Sequence, residues 1–355
     1  MQGNSLMQGN DVTADWLARI AQARAQSTCL GIRGGGSKNF FGEPTHVDTV
    51  IDSREYTGII DYAPTELVMT ARAGTPLNEI RQALADADQY WPCDPPDFGG
   101  QATLGGCIAA GIAGPGRAAL GAVRDSVLGV GMLTGRGQQL TFGGQVMKNV
   151  AGYDVSRLMV GSLGTLGLLT QVSFKVLPVP QQSLTLAYEE SIRAAQARFL
   201  SVSNSPAPCT ASAWFDGTSY LRFTGSHIGV TDARQQAGGE LVDDTVWTQL
   251  RDHQIACLQH AKCLWRVSVL PASTQLLDET HVLEWNGGQR WLCDPEFDPR
   301  ARLKAGHATL FRAPVTAPIP RFSPLAPVVA GIHQRLKDTF DPDRVFNPGR
   351  LYRDL

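Results

Sequence analysis

Residues 95–117 read PPDFGGQATLGGCIAAGIAGPGR and hold seven glycines, with alanine and threonine between them. Such a density of small residues lets backbone approach something flat or anionic closely. A close-packed helix is the structural alternative, but Gly105-Gly106 and Gly114-Pro115-Gly116 interrupt helical continuity. The segment therefore favours a ligand-binding loop.

Two further glycine-rich segments flank this one. Residues 33–38, RGGGSK, offer three consecutive glycines whose N–H groups can converge on an anion, and Lys38 adds a positive charge. An ordinary tight turn remains the alternative for this segment. In residues 147–170 the glycines Gly161, Gly164 and Gly167 recur before a strand, a spacing that differs from the Rossmann GxGxxG. The alternative there is a glycine-rich strand-loop that packs on a helix, and the absence of GxxxxGK[ST] excludes a P-loop.

Strand and helix patterns alternate between residues 28 and 178, and composition shifts after Pro180. Residues 181–320 carry five of the seven tryptophans and predict a second α+β unit, in which Asp216-Gly217 marks a hairpin turn. Residues 313–327 are proline-rich and predict a linker. A terminal helix over 328–340 precedes the sequence DPDRVFNPGRLY.

Composition excludes several classes of protein. Lys plus Arg number 31 and Asp plus Glu 33, so a net charge of -2 gives no support for nucleic-acid binding. The seven scattered cysteines include no CxxC, which excludes a conventional iron–sulfur ligand run and favours a reducing compartment. No signal-peptide pattern opens the sequence, and the apolar residues 104–114 are too few to span a bilayer. We therefore expect a cytoplasmic protein that reaches the inner membrane only through partners.

Taken together, in this order and spacing, the three segments resemble the vanillyl-alcohol-oxidase (PCMH-type) FAD-binding family. The matching motifs are Arg-Gly-x-Gly at 33–36, Ala-Thr-hydrophobic-Gly-Gly at 102–106, Gly-Tyr-Asp at 152–154 with 161–167, Asp-Pro at 341–342 and Asn-Pro-Gly at 347–349. The resemblance is closest to the FAD-binding subunits of bacterial glycolate oxidases, given the short chain, RWL at Arg290 and GHATLF at Gly306. It implies an α+β fold with a two-subdomain FAD-binding domain (1–180), a reduced α+β cap domain (181–320) and a C-terminal segment that returns to the FAD domain (321–355).

The resemblance also implies how FAD is held. The pyrophosphate is expected on two glycine segments, the first at residues 33–38 and the second at residues 102–106. The adenine side is expected near residues 164–168, and the isoalloxazine ring against residues 111–114 and near Asn347. The full set of cofactor residues expected is Arg33, Gly34, Gly35, Gly36, Ser37, Lys38, Pro95, Ala102, Thr103, Leu104, Gly105, Gly106, Gly111, Gly114, Gly121, Asp125, Gly164, Thr165, Leu166, Gly167, Leu168 and Asn347. Ser37 stands where some family members have the histidine that bonds flavin covalently, so we predict non-covalent FAD.

Candidate substrate groups lie in the second unit. Arg266, Arg290 and Arg312 are candidates for a bidentate carboxylate clamp, and His307 is a candidate for accepting the hydroxyl proton. Each has a structural alternative, as a surface, interface or hydrogen-bonded residue.

Two features of the sequence depart from the larger 2-hydroxy-acid relatives. The chain lacks their His-rich metal motif, and Leu163 stands where they commonly have Glu. Cys257, His260 and Cys263 have helical spacing but no fourth ligand, so we predict buried thiols, a surface histidine and no metal site.

Three functions remain open at this stage. The first is FAD-dependent oxidation of glycolate or a similar short 2-hydroxy acid, with electrons leaving through a larger homologous flavin subunit and an iron–sulfur subunit. The second is a non-catalytic flavin-binding relay or assembly subunit, whose tryptophans would serve as surface anchors. The third, a flavin reductase of cell-wall precursor synthesis, requires NADPH and is disfavoured by the C-terminal Asn-Pro-Gly.

Overall fold

The computed structural model describes residues 3–144 and 154–355, with side chains from residue 12 onward. Within these residues the helices are α1 Gly3–Gln26, α2 Leu77–Ala85, α3 Leu104–Ala110, α4 Arg117–Leu120, α5 Val123–Ser126, α6 Val155–Leu158, α7 Ile192–Ser203, α8 His227–Ala237, α9 Thr245–Arg251, α10 Ala256–His260 and α11 Pro327–Phe340. The strands are β1 Leu30–Arg33, β2 Thr49–Asp52, β3 Ile59–Ala63, β4 Val68–Arg72, β5 Gln89–Tyr90, β6 Val127–Leu133, β7 Gln139–Gly143, β8 Leu168–Lys175, β9 Leu177–Pro178, β10 Gln182–Glu189, β11 Cys209–Phe215, β12 Thr218–Gly225, β13 Glu240–Val242, β14 Leu264–Ser268, β15 Val282–Glu284, β16 Gln289–Cys293 and β17 His307–Arg312.

The first unit is built on a five-stranded antiparallel sheet in the order β3-β4-β8-β6-β7. Its central strand β8 is buried along most of its length, which suits its run of apolar and small polar residues. Helices α2 and α3 pack on this sheet through Leu77, Ile80 and Ile108. A separate parallel pair, β1 and β2, leads directly into the first glycine segment at residue 34.

The second unit is an eight-stranded antiparallel sheet in the order β13-β10-β12-β11-β15-β16-β14-β17. Helices α7 and α8 cover one face through Phe199 and Val230. The other face turns toward the first unit, because Trp291 and Phe311 share a buried cluster with Ile112. Side chains alternate between the two faces along a strand, so only every second residue of these strands points toward the first unit.

Residues 104–110 form a helix, which corrects the expectation of an open loop there. Thr103 caps this helix by accepting a hydrogen bond from the Gly106 N–H at 3.3 Å. Gly105 and Gly106 both lie in this helix. A side chain on Gly105 would meet the Ala73 carbonyl oxygen at 2.9 Å. Glycine at this position serves close helix–strand packing rather than loop flexibility.

The tryptophans of the second unit are not surface anchors. Trp247, Trp265 and Trp291 are buried, whereas Trp214 and Trp285 are half-buried with their ring N–H groups bonded to backbone carbonyls. The prediction that they form an assembly surface was therefore wrong.

The chain leaves the first large sheet at Lys175, the end of β8, and enters the second at Gln182, the start of β10; the last strand of the second sheet ends at Arg312. Helix α11 then returns to the first unit, where Phe340 joins the core and Lys337 donates to the Thr165 carbonyl at 2.7 Å. We keep 180 and 320 as the proposed domain boundaries.

Candidate cofactor and substrate sites

A cavity of about 330 Å³ lies over the first glycine segment, between β1, the start of α3 and the C-terminal segment. A side chain on Gly34 would overlap the Thr103 hydroxyl, and one on Gly35 would overlap the Gln101 carbonyl oxygen. Within the described residues, the N–H groups of Gly35, Gly36 and Ser37 make no hydrogen bond. This turn therefore presents free backbone donors in a groove that only glycine can form, the arrangement that suits a phosphate group.

The second glycine segment contributes differently from what its motif suggests. The N–H groups of Leu104 and Gly105 are already bonded to the carbonyls of Thr75 and Ala73. Gly106 and the Thr103 side chain line the cavity, but the free donors come from the first segment.

The charge around this cavity favours an anion. Arg33, Lys38 and Arg350 are among the lining residues. None of the described residues that line this cavity is acidic. The Lys38 ammonium bonds only to the Ser37 hydroxyl at 3.3 Å and the Cys107 thiol at 3.9 Å within the described residues. Arg350 is structural instead, because its guanidinium donates to the carbonyls of Phe41 and Glu43 and burial lowers its pKa. Lys38 is thus the cation best placed to meet a ligand.

Two neighbouring cavities extend the first one on either side of Gly34. The smaller of these two neighbours, about 70 Å³, reaches Gly164, Gly167 and Leu168. The larger, about 470 Å³, reaches Arg54 and Phe98. Asn347 lines the smaller neighbouring cavity and holds its two walls together, since its side chain accepts from the Ile32 N–H at 3.0 Å and donates to the Leu163 carbonyl at 2.8 Å. The continuous, extended shape and its free donors fit a dinucleotide such as FAD.

The other residues expected at the cofactor lie outside these three cavities. Ala102, Leu104 and Leu166 are core residues, and Thr165 bonds its hydroxyl to the Ser162 carbonyl. Gly121 ends α4 and Asp125 caps α5 through the Ala122 N–H, while Pro95 lines a different cavity between the two units. Gly111 packs against Gly161, and Gly114 lies under Trp285, whose ring N–H donates to the Gly114 carbonyl at 3.3 Å. Gly152 and Tyr153 of the third motif fall outside the described residues.

A polar group on the second sheet faces residues 112–115 of the first unit. Arg266 lies on β14 opposite Trp291 and Thr309, and His307 lies opposite Ser268, so Arg266 and His307 share this face. Burial and the Arg117 charge lower the pKa of Arg266 to about 10. Among the described residues, no carboxylate forms an ion pair with Arg266. Desolvation, Arg266 and Arg117 also lower the pKa of His307, which keeps its imidazole neutral near pH 7.

Two residues of this group were not expected from the sequence. Glu284, only 4% exposed, accepts from Gln289 at 2.8 Å and Trp291 at 2.5 Å, and burial raises its pKa to about 7. His253, 8% exposed among Phe98, Trp291 and Phe311, has its pKa lowered to about 3 by burial and the Arg312 charge. Its Nδ1 has no partner in the described structure. The sequence held one signal for Glu284: an acidic residue that ends the apolar run VLE of residues 282–284 indicates a buried carboxyl.

Arg290 and Arg312 do not join this group. Arg290 pairs with Val267 and so lies on the opposite face of the sheet, fully buried and bonded to the carbonyls of Ser273 and Gln275. Arg312 donates to the carbonyls of Leu258 and Ala261 and holds α10 to the sheet. The three-arginine clamp expected from the sequence is therefore reduced to Arg266.

The described residues contain no group of three or more His, Cys, Asp or Glu that could hold a metal ion. Cys257 and His260 lie on α10, His260 is exposed, and Cys263 follows the helix. The thiols of Cys257 and Cys263 are half-buried rather than buried.

Comparison with known proteins follows the same lines. A family model described as an FAD binding domain matches residues 12–143. The chain is similar to glycolate oxidase subunit GlcE of Escherichia coli, with 44% identity over 97% of this chain and 99% of that protein. It also matches glycolate oxidase subunit GlcD of Bacillus subtilis, with 33% identity over 46% of this chain and 35% of that protein.

More distant matches extend the comparison. D-lactate dehydrogenase of Anaerostipes hadrus is 34% identical over 37% of this chain and 28% of that protein. A solved structure of alkyldihydroxyacetonephosphate synthase superposes with a TM-score of 0.64 at 15% identity, covering 93% of this chain and 74% of that one. These matches confirm the predicted α+β, PCMH-type FAD-binding fold and FAD as its cofactor. No helix among the described residues is long and apolar enough to cross a membrane.

Proposed function

The chain belongs to the family of glycolate oxidase subunit GlcE, and from this premise we propose that it is a flavin subunit that oxidises glycolate or a similar short 2-hydroxy acid to the 2-oxo acid. Its electrons pass to a larger homologous flavin subunit and an iron–sulfur subunit. The protein works in the cytoplasm and reaches the inner membrane only through these partners.

FAD is held by backbone donors and Lys38, without a covalent bond. Gly35, Gly36 and Ser37 offer free N–H groups to the pyrophosphate, and Ser37 has no ring nitrogen to attach to the flavin. Acid precipitation of the yellow protein should leave all the flavin in the supernatant. Colour that stays in the pellet after washing would overturn this part of the proposal.

The substrate part rests on Arg266, a half-buried cation that faces residues 112–114 and has no carboxylate partner within the described structure. Its guanidinium would bind the substrate carboxylate in bidentate fashion. His307, neutral at pH 7, would accept the hydroxyl proton. FAD, when bound, accepts the hydride from the alcohol carbon.

The test is anaerobic addition of glycolate to the isolated, FAD-loaded chain, followed by flavin absorbance. We expect bleaching in the natural protein and its loss in Arg266→Gln. The matched control is Arg302→Gln, which changes an exposed arginine paired with Glu279 far from this group. Equal bleaching in both variants would exclude Arg266 as the carboxylate partner.

A non-catalytic relay or assembly role is the second candidate. The observation that favours it is the small size of the cavity between Arg266 and residues 112–115, about 10 Å³, which is less than a glycolate molecule needs. If the isolated chain keeps its flavin oxidised with glycolate while the assembled complex turns over, this second role is correct.

A further inference from the structure

A second large cavity of about 560 Å³ lies between the two units and shares no residue with the three cavities around Gly34. One wall is formed by α2 and the turn after β5, with Leu84, Tyr90 and Trp91. The opposite wall comes from the second sheet and α9, with Arg222 and Trp247. Its volume falls within the range of small-molecule sites, which often lie at junctions between domains.

The lining combines apolar and aromatic surface with an excess of one positive charge. Three arginines and two aspartates reach it: Arg81, Arg222, Arg251, Asp94 and Asp244. Most of these charges are already satisfied. Asp94 accepts from Arg251 at 2.9 Å and lies 3.5 Å from Arg81, while Asp244 accepts from the hydroxyls of Ser183 and Thr185.

Arg222 is the exception. Its Nε donates to the Thr210 hydroxyl at 3.3 Å, and its guanidinium lies 5.4 Å from the centre of the Trp247 ring. It forms no ion pair with a carboxylate of the described residues. Burial lowers its pKa, and the more distant charges of Asp94 and Asp244 offset this only in part. This half-buried guanidinium lies over an indole ring, and its terminal N–H groups donate to none of the described residues, which suits an anion on a flat apolar body.

We propose that this cavity binds a planar, largely apolar small molecule that carries one acidic group, with the acid on Arg222 and the flat body between Trp247, Trp91 and Leu84. This site is separate from the flavin cradle, and of its described lining residues only Arg251 also lines the small cavity at Arg266. The proposal holds whether the chain oxidises substrate itself or acts as a non-catalytic relay or assembly subunit.

The probe for this site is 8-anilinonaphthalene-1-sulfonate, which is planar, apolar and anionic and becomes fluorescent in apolar surroundings. It is titrated into the FAD-loaded, full-length protein. We expect one saturable site per chain, with energy transfer from tryptophan to the probe. Several weak sites, or binding only when FAD is removed, would overturn the proposal, because the cavity would then be either non-specific or part of the flavin site.

Two pairs of variants locate the probe. Thr248 is exposed on α9 and lines the cavity, so Thr248→Trp fills the mouth without disturbing the core, whereas Gln249→Trp places the same ring on the neighbouring position outside the cavity. Arg222→Gln removes the charge and Arg222→Lys keeps it. Thr248→Trp and Arg222→Gln should each raise the dissociation constant about tenfold or more, the scale of one charge-assisted hydrogen bond or lost apolar contact.

Gln249→Trp should bind like the natural protein, and Arg222→Lys should fall between. Circular dichroism and flavin content establish that each variant is folded. If Thr248→Trp and Gln249→Trp bind equally well, the probe lies elsewhere and the proposal fails, even where Arg222→Gln does not fold.

Discussion

Gly35 shows how a single residue can decide cofactor binding. A methyl group at this position would overlap the carbonyl oxygen of Gln101, which is backbone and cannot rotate away. The turn of residues 34–37 must then shift, and its free N–H groups lose their common direction. Overpacking of this kind costs about 1–3 kcal/mol, so Gly35→Ala should weaken FAD binding about tenfold or more.

Flavin fluorescence during titration of the FAD-free protein measures this effect. Gly144→Ala is the control, since no atom of the described residues lies within 4 Å of the position that its methyl group would take. An unchanged FAD affinity in Gly35→Ala would mean that the turn is not the pyrophosphate cradle.

Glu284 should make stability depend on pH. Burial raises its pKa from 4.5 to about 7, although bonds from Trp291 and Gln289 act in the opposite direction. Between pH 4.5 and 7 the folded carboxyl keeps its proton while the unfolded one has lost it, so stability falls as the pH rises through this window. The full loss is up to about 3 kcal/mol at 1.36 kcal/mol per pKa unit.

Glu284→Gln keeps the hydrogen bonds and removes this titration. Relative to the natural protein, its free energy of unfolding in urea should therefore increase from pH 4.5 to 7 and then level off. His253 titrates in an overlapping window but is present in both proteins, so the difference isolates Glu284. The exposed Glu189→Gln serves as control, and a difference that stays constant with pH would contradict the assignment.

Helix α11 is the element that closes the first unit. Lys337, 1% exposed, donates to Asp341 and to the carbonyls of Thr165 and Phe346, while Asp341 accepts the N–H groups of Val345 and Phe346. This network fixes the turn that delivers Asn347 to the cofactor cavities. Removing one partner of a buried ion pair leaves the other charge uncompensated, which costs about 3–5 kcal/mol.

Lys337→Met should therefore lower the free energy of unfolding by about that amount and weaken FAD binding at the same time. Arg335→Met changes an exposed residue of the same helix and should have little effect. Chemical denaturation followed by tryptophan fluorescence checks both. A Lys337→Met protein as stable as Arg335→Met would show that the pair is dispensable.

Much of the secondary structure followed from sequence pattern, and the errors have physical causes. The helix predicted over 328–340 matches α11, and the hairpin predicted at Asp216-Gly217 joins β11 and β12. Residues 104–110 were misassigned because glycines that pack a helix on a strand look the same in sequence as glycines of a loop. Arg290 and Arg266 looked equivalent, yet the register of β14 and β16 puts them on opposite faces of the sheet. Register depends on pairing between distant segments, which a single sequence does not contain.

At the scale of the whole molecule, Asp252 couples the second unit to the start of the glycine-rich segment 95–117. One of its oxygens accepts the N–H groups of Asp97 and Phe98, and the other accepts from Arg251, which also binds Asp94. Although burial alone would raise the pKa of Asp252, the bonds from Arg251 outweigh this and lower it. This contribution to stability is present above pH 3.8 and is lost as the pH falls through the lowered folded value.

Asp252→Ala should therefore uncouple the two units rather than unfold either one. Tryptophan fluorescence reports largely on the second unit and flavin release on the first, and in the natural protein we expect both changes at one denaturant concentration. In Asp252→Ala the flavin should leave at a lower concentration than the tryptophan transition, because the backbone of residues 97–98 loses its anchor. The exposed Asp232→Ala is the control. If the two transitions still coincide in Asp252→Ala, then the apolar cluster shared by Ile112, Trp291 and Phe311 joins the units without help from this carboxylate.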